Sequence, residues 1–392
     1  MGAEVRMLWR SPTAIFLMVT SFGLLACSAA TARVEPKIRV LLYRGADPIK
    51  VGLVARSGEV RIDADGDLVV DGQKQAKRWT PNGHGPWRVG SRIVRGEIVV
   101  RSHRQRIEVL NRVDLEEYVA STVGGEMSPS WPAHALRAQA VAARTYVLYE
   151  ADRHRDRAWD VRSTAVSQVY RGLEAETRET VRATRATEGQ ILTYAGEPIL
   201  AVFHSTSGGQ TATAGEVWGE DLPYLRIVEV EDEDDAPHTY WRTAFGREGL
   251  SGILEAAGIV VGELRNMTIA DRTPSGRVES LIVDGSTGSH RLRGRQLRLL
   301  LGGLALRSTL FEIRESDDEF VFVGSGHGHG VGMSQWGARA MARQGASYQR
   351  ILARFYPGTR IEQLLPIRRS LQEISQGEDP PNDETSQEGD HR

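Results

Sequence analysis

Cysteine occurs once in 392 residues, at Cys27. A chain with one thiol forms no internal disulfide and offers no set of cysteine ligands for a structural zinc. Neither sign of charge is in excess, since 49 Lys and Arg stand against 51 Asp and Glu, a formal net charge of -2. That balance leaves no basic footprint, and a nucleic acid partner is excluded. Lysine is scarce, at Lys37, Lys50, Lys74 and Lys77, and the arginine excess is read as genome composition rather than chemistry. The chain also lacks an internal repeat of fixed period. Its most apolar run, Ala14 to Ala26, is too short for a comfortable membrane span and follows Arg6 and Arg10, the layout of an export signal.

That run ends in Leu24-Leu25-Ala26-Cys27, which resembles the lipobox of bacterial lipoproteins. Cys27 is therefore expected to carry lipid, with the chain exported and anchored at the cell envelope, in the periplasm or on the outer surface of a membrane. Leu25 is unusual at its place, and plain cleavage after Ala26 or Ala30 is the alternative. Residues 1–26 are thus a signal peptide, 27–37 a linker and 38–366 the folded domain. The acidic tail 367–392, rich in Glu, Gln, Ser, Asp and Pro, is expected to be disordered.

Within the domain, residues 38–110 alternate in strand fashion, with IRVLLY, VGLVAR, RIVRGEIVV and RQRIEVL separated by Gly, Asp and Pro turns. Residues 111–237 form a mainly helical core and 324–366 a closing core block. Strand and helix signals mix over 238–323, read as an insertion or second lobe. The fold class is α+β, a helical core with antiparallel β-units.

Between Val113 and Tyr149 two helical stretches meet at a Gly-Gly pair beside one carboxylate, Glu126. Leu115, Tyr118, Val119, Thr122 and Val123 share one face of the first, and Gly124 with Gly125 are expected to end it in a left-handed cap. Ser130 is the candidate cap of the second, Pro132 lies in its first turn, and Leu136, Ala140, Ala143 and Val147 form its inward stripe. Glu126 then sits in a tight connection, near Met127 and Trp131. The helix dipole favours its charged form by about 0.3–1 kcal/mol. Burial favours the neutral form and can move a carboxyl pKa by up to about 3–5 units. In a closed pocket burial wins, giving the neutral acid that protonation of an ether oxygen requires. The competing role is helix capping alone.

Three other blocks carry unusual residues. AVSQVYRG, Ala165 to Gly172, places Gln168 and Tyr170 on an expected strand beside Ser167. AVFHSTSGGQT delivers His204, Ser205, Thr206 and Ser207 before Gly208 and Gly209, where small hydroxyls and glycine admit a polar ligand closely. A His204-Ser205 nucleophilic pair ranks far lower, because neighbours on a strand point to opposite faces. GSGHGHGVGMSQWGARAMARQG presents His327 and His329 and passes into a helix through Ser334 and Trp336. Its His-x-His spacing is a weak metal signal alone. It lacks the lysine of a phosphate loop, which excludes nucleotide binding.

Taken in order with EGQILTYAGEPIL before AVFHSTSGGQT and ARFYPGT after the last block, these segments resemble the stage II sporulation protein D family of peptidoglycan-cleaving proteins, roughly from Ile38 to Pro366. The resemblance implies two lobes around a glycan-binding cleft, with the helical core as the catalytic part. It implies a lytic transglycosylase acting on peptidoglycan glycan strands, including strands stripped of peptides, and leaving 1,6-anhydro ends. Glu126 would be the single acid and base, with Arg144, Gln168, Tyr170, His204, Ser205, His329, Ser334 and Gln335 positioning substrate. Hydrolysis would instead need a second carboxylate about 5–9.5 Å away, for which Glu216 and Asp221 are the candidates. No cofactor or metal is expected, since the stretch where some relatives bind zinc through cysteines reads WDVRSTAVSQVY here. The alternative from the wider family is a non-catalytic wall-binding protein that modulates a cell-wall amidase. A lipid-anchored scaffold is a third, weaker reading.

Overall fold

Lys37–Gly45 and Arg106–Asp114 pair antiparallel along their whole length, from Lys37 opposite Asp114 to Gly45 opposite Ile107. The computed structural model describes residues 36–302, 306–316 and 318–364. Cys27, the signal segment and the tail 367–392 lie outside them. The pair forms the middle of a five-stranded sheet, with Val161–Arg162 on one side and Glu97–His103, then Arg78–Trp79, on the other. The residues between fold into a six-stranded antiparallel sheet built on Ile49–Leu53 and Arg56–Ile62. Alternating Val, Ile and Leu explain the strands: one set of side chains enters the core while the other meets water.

The helices in chain order are α1 (Leu115–Glu126), α2 (Ala133–Arg153), α3 (Arg178–Arg185), α4 (Ala214–Trp218), α5 (Arg247–Ala256), α6 (Gly294–Leu301), α7 (Gln335–Arg343) and α8 (Tyr348–Phe355). Strand Arg106–Asp114 runs directly into α1, so the sheet fixes where that helix starts. Helix α2 touches α1, α3, α7 and α8. Its alanines at 135, 138, 140, 142 and 143 are buried on several sides, which lets four neighbours approach one axis. Together with the first sheets, these helices share one apolar core running from Ile38 to Tyr356 in sequence.

A second core lies within 241–322, where Leu250 and Leu254 of α5 and Leu297 and Leu301 of α6 pack with Leu281, Val283, Phe320 and Phe322. Two three-stranded antiparallel sheets supply its strands: Leu264–Arg272 with Val278–Gly285 and Ser289–Arg293, and Tyr240–Gly246 with Glu319–Ser325 and Phe311–Glu315. The α+β class expected from sequence is what the chain adopts.

Three local expectations are corrected. Gly124 and Gly125 do not end α1: both are helical, and Glu126 is the last residue of the helix rather than part of a turn. A Cβ on Gly124 would lie 1.9 Å from the Ala175 carbonyl oxygen, and one on Gly125 2.1 Å from that of Val169. The pair exists to let another backbone approach the helix, a use of glycine that needs no left-handed conformation. Pro132, not Ser130, occupies the N-cap position of α2. Gln168 and Tyr170 lie on an irregular segment, not on a paired strand.

Candidate active site

Glu126 receives two hydrogen bonds that come from opposite parts of the chain. The Val169 backbone N–H donates to its Oε1 at 2.7 Å, and Gln335 Nε2 donates to its Oε2 at 3.2 Å. The first is possible because glycine at 125 lets the 169 backbone lie against α1. Burial raises the carboxyl pKa above the ordinary 4.5, against the pull of the Val169 and Gln335 hydrogen bonds and the Arg171 charge. Desolvation thus wins over the donors, as expected for a part-buried carboxyl. Met127 beside it is buried, and Trp131 meets Trp336 edge to face at 4.9 Å.

Gln168 and Tyr170 turn inward. The Tyr118 hydroxyl donates to Gln168 Oε1 at 2.7 Å, the Tyr170 hydroxyl donates to Asn111 Oδ1 at 2.9 Å, and the two tyrosine rings stack at 5.4 Å. Both side chains are fully buried, which ties down the backbone on each side of Val169 and aims its N–H at Glu126. Arg144 is also fully buried. Its Nε and Nη2 donate to the Glu116 carboxylate at 2.7 and 2.6 Å and its Nη1 to the Gln190 carbonyl at 3.0 Å, locking α2 to α1. The ion-pairing role open to a helical arginine is the one its geometry displays.

The two-residue parallel bridge of Phe203–His204 with Met333–Ser334 brings the third and fourth blocks together. His204 Nδ1 donates to the Val331 carbonyl at 3.0 Å, which leaves Nε2 as a bare acceptor, buried and without a partner among the described residues. His329 accepts from the Val331 N–H at 3.1 Å through Nδ1 and lies 5.6 Å from His204 and 5.2 Å from Trp218, ring centre to ring centre. Burial, with the Arg298 charge next, pushes its pKa down to about 3. Burial likewise pushes His327, against His238, down to about 4. These imidazoles are neutral hydrogen-bonding groups, not cations. The half-buried Ser205 gives its carbonyl to the Trp336 N–H at 3.1 Å and to the Ser334 hydroxyl at 3.3 Å. Ser334 caps α7 by accepting from the Gly337 N–H at 3.1 Å, and Gln335 is the first residue of that helix.

The two further carboxylates differ in setting. Glu216 is held by the Ser275 hydroxyl and N–H, and Asp221 packs against Gly215. Neither is a hydrogen-bond partner of Glu126. Among the described residues no group of three or more His, Cys, Asp or Glu side chains stands together as metal ligands would. Sequence reasoning missed two buried charges. Glu233 hides within the acidic run 231–235 as a buried carboxylate, and Arg277 is a buried guanidinium whose pKa burial pushes down to about 10. Arg277 Nη2 donates to the Ser207 and Gln210 carbonyls at 2.8 and 3.1 Å, and its plane lies on Gly330, where a Cβ would come within 2.3 Å. The glycine at 330 was a usable signal for that close approach; the arginine gave none.

The hairpin that carries Glu126 lies in a segment that matches a known family, and the chain belongs to the stage II sporulation protein D family. The family model described as Stage II sporulation protein matches residues 103–194, which include Glu126, Arg144, Gln168 and Tyr170. A second, described as a domain of unknown function, matches 225–332 and includes Glu233, Arg277 and His329. Stage II sporulation protein D of Bacillus subtilis is 32% identical over 283 residues, 68% of this chain and 78% of the relative. An uncharacterized protein of Brachyspira hyodysenteriae is 32% identical over 267 residues, 68% of this chain and 71% of the relative. The amidase enhancer of Bacillus subtilis is 29% identical over 283 residues, 60% of this chain and 39% of that longer protein. Family membership supports a role connected with the cell wall.

Proposed function

We propose that the protein is a peptidoglycan lytic transglycosylase in which Glu126 serves as both acid and base. The observation that carries this reading is the setting of that one carboxyl: burial raises its pKa, while two aimed donors, Val169 N–H and Gln335 Nε2, stand ready for its ionised form. Neutral Glu126 gives its proton to the glycosidic oxygen as the bond from C1 of the muramic acid residue breaks. The resulting carboxylate, held by the two donors, takes the proton of the C6 hydroxyl while O6 bonds to C1. The products are a freed 4-hydroxyl and a 1,6-anhydro end, and Glu126 regains its proton without water entering the balance. A carboxyl whose pKa burial raises, and whose ionised form two donors hold, suits both halves of this exchange.

Hydrogen-bonding groups on the segments joined by the Phe203–His204 and Met333–Ser334 bridge suit a sugar substrate. His204 offers a bare Nε2, and the neutral His329 lies against the Trp218 ring, a pairing that fits a polar ring with apolar faces. Glycan strands, including those stripped of peptides, are the proposed substrate. Export and a lipid anchor at Cys27 would bring the protein to that polymer. The likeness to an amidase enhancer supports a second reading, a wall-binding protein that modulates an amidase without cutting glycan. Incubation of the purified protein with isolated glycan strands, followed by mass spectrometry, separates the two. New anhydro-muramyl ends that vanish with Glu126→Gln support cleavage, and binding without new ends supports modulation.

A further inference from the structure

Five consecutive acids, Glu231 to Asp235, run beside α7, and one of them is buried. The Glu233 carboxylate is 3% exposed and accepts from the Ser207 N–H at 2.9 and 3.1 Å, the Ser207 hydroxyl at 2.7 Å, the Gly208 N–H at 3.0 Å and the Ser334 hydroxyl. Hydrogen bonds of this number are what an ionised carboxylate needs when it leaves water. The Ser334 hydroxyl shares its proton between the Glu233 carboxylate and the more distant Ser205 carbonyl and accepts from the Gly337 N–H, which fixes the first turn of α7. Gln335, the next residue, is the one that reaches Glu126. The neighbouring acids hold the rest of the helix from outside: Asp232 meets Gln344, and Asp235 meets Arg343 at 2.8 Å and Arg339 at 3.5 Å. Exposed pairs of that kind contribute little. The orientation of the first turn therefore rests on the buried member.

We propose that Glu233 is a positioning residue for Glu126, acting through Ser334 and Gln335. The inference rests on the glycan-cleaving reading only for its consequence on rate. Glutamine at 233 keeps one acceptor oxygen and turns an NH2 toward donors it cannot satisfy, so Glu233→Gln unseats the cap as well as removing a charge. Glu126 faces the Val169 N–H, the Gln335 amide, the Arg171 charge and the Tyr118 hydroxyl, and only the Gln335 contact is altered by that change. Loss of this donor disfavours the carboxylate and raises the Glu126 pKa. A through-space effect of losing the Glu233 charge would lower it, so the sign of the shift distinguishes the two.

The test titrates the Glu126 side chain by carboxyl carbon NMR in the full folded chain and in Glu233→Gln, Ser334→Ala and Asp235→Asn, alongside the pH dependence of anhydro-end release. The first two variants are expected to raise the Glu126 pKa and carry the alkaline limb of the rate profile upward. A kcat roughly tenfold lower with KM within about twofold is the expected split. Asp235→Asn is expected to leave the pKa in place. An unchanged or lowered pKa in the first two, or an equal rise in Asp235→Asn, overturns the proposal. If Glu233→Gln does not fold, Ser334→Ala, which keeps the charge, decides. Should the wild type release no anhydro ends, the cleavage reading fails while the NMR titration still decides the positioning.

Discussion

Gln335 and Glu126, 209 residues apart in sequence, meet end to end: the first residue of α7 donates to the last residue of α1. The contact unites the segment matched by the Stage II sporulation protein model with the glycine-histidine block that lies beyond it. Replacing Gln335 with leucine removes a donor that favours the ionised acid, so the Glu126 pKa rises and the alkaline limb of the rate profile moves to higher pH. The rate at neutral pH is expected to fall roughly tenfold, the lower end of what one hydrogen bond to a charged group is worth. A pH-rate series on the variant checks both.

Gly125→Ala tests the close approach behind the other donor. Alanine in a helix would ordinarily gain about 1 kcal/mol over glycine. Here its Cβ would sit 2.1 Å from the Val169 carbonyl oxygen, which must move. The expected net result is a loss of about 1–3 kcal/mol in urea unfolding, the usual range for overpacking. Activity should fall further than stability, because the same backbone supplies the N–H to Glu126.

Arg144 predicts a stability phenotype before a catalytic one. Its guanidinium is fully buried on Glu116, so Arg144→Met strands the partner carboxylate and is expected to cost about 3–5 kcal/mol. The double variant Arg144→Met with Glu116→Gln should recover a large part of that loss. Urea unfolding of the three proteins measures it, and equal losses in the single and double variants would contradict the pairing.

The raised pKa of Glu126 makes a signed prediction about folding. A carboxyl whose folded pKa exceeds its unfolded value adds stability below the unfolded pKa and loses it as pH rises through the folded one. Glutamine at 126 does not titrate, so Glu126→Gln is expected to be more stable than wild type at pH 7, with the difference shrinking as pH falls through the raised pKa and changing no further below the ordinary carboxylate value. Thermal unfolding at a series of pH values shows this directly.

Much of the frame was legible in sequence because spacing alone carries it. The stripe from Leu115 to Val123 and that from Leu136 to Val147 are buried as their periods require. What spacing does not carry is which partner a residue faces. Gly124 and Gly125 read as a helix stop because nothing local reveals that the 169 and 175 backbones lie against them. The resemblance singles out Gln168 and Tyr170, whose side chains bond Tyr118 and Asn111, while Val169 between them, which carries no sequence signal, makes the contact with Glu126. Glu233 was invisible inside a run of acids that ordinarily mark solvent. Burial of one among five depends on two hydroxyls distant in sequence, Ser207 and Ser334.

The most direct test digests peptide-stripped glycan strands with the wild-type protein and with Glu126→Gln and counts anhydro-muramyl ends by mass spectrometry. The expected outcome is a steady rise in such ends with the wild type and a rate roughly 100- to 10,000-fold lower in the variant, whose folding is retained. Anhydro ends formed at an undiminished rate by Glu126→Gln would contradict the assignment of that side chain as the proton carrier.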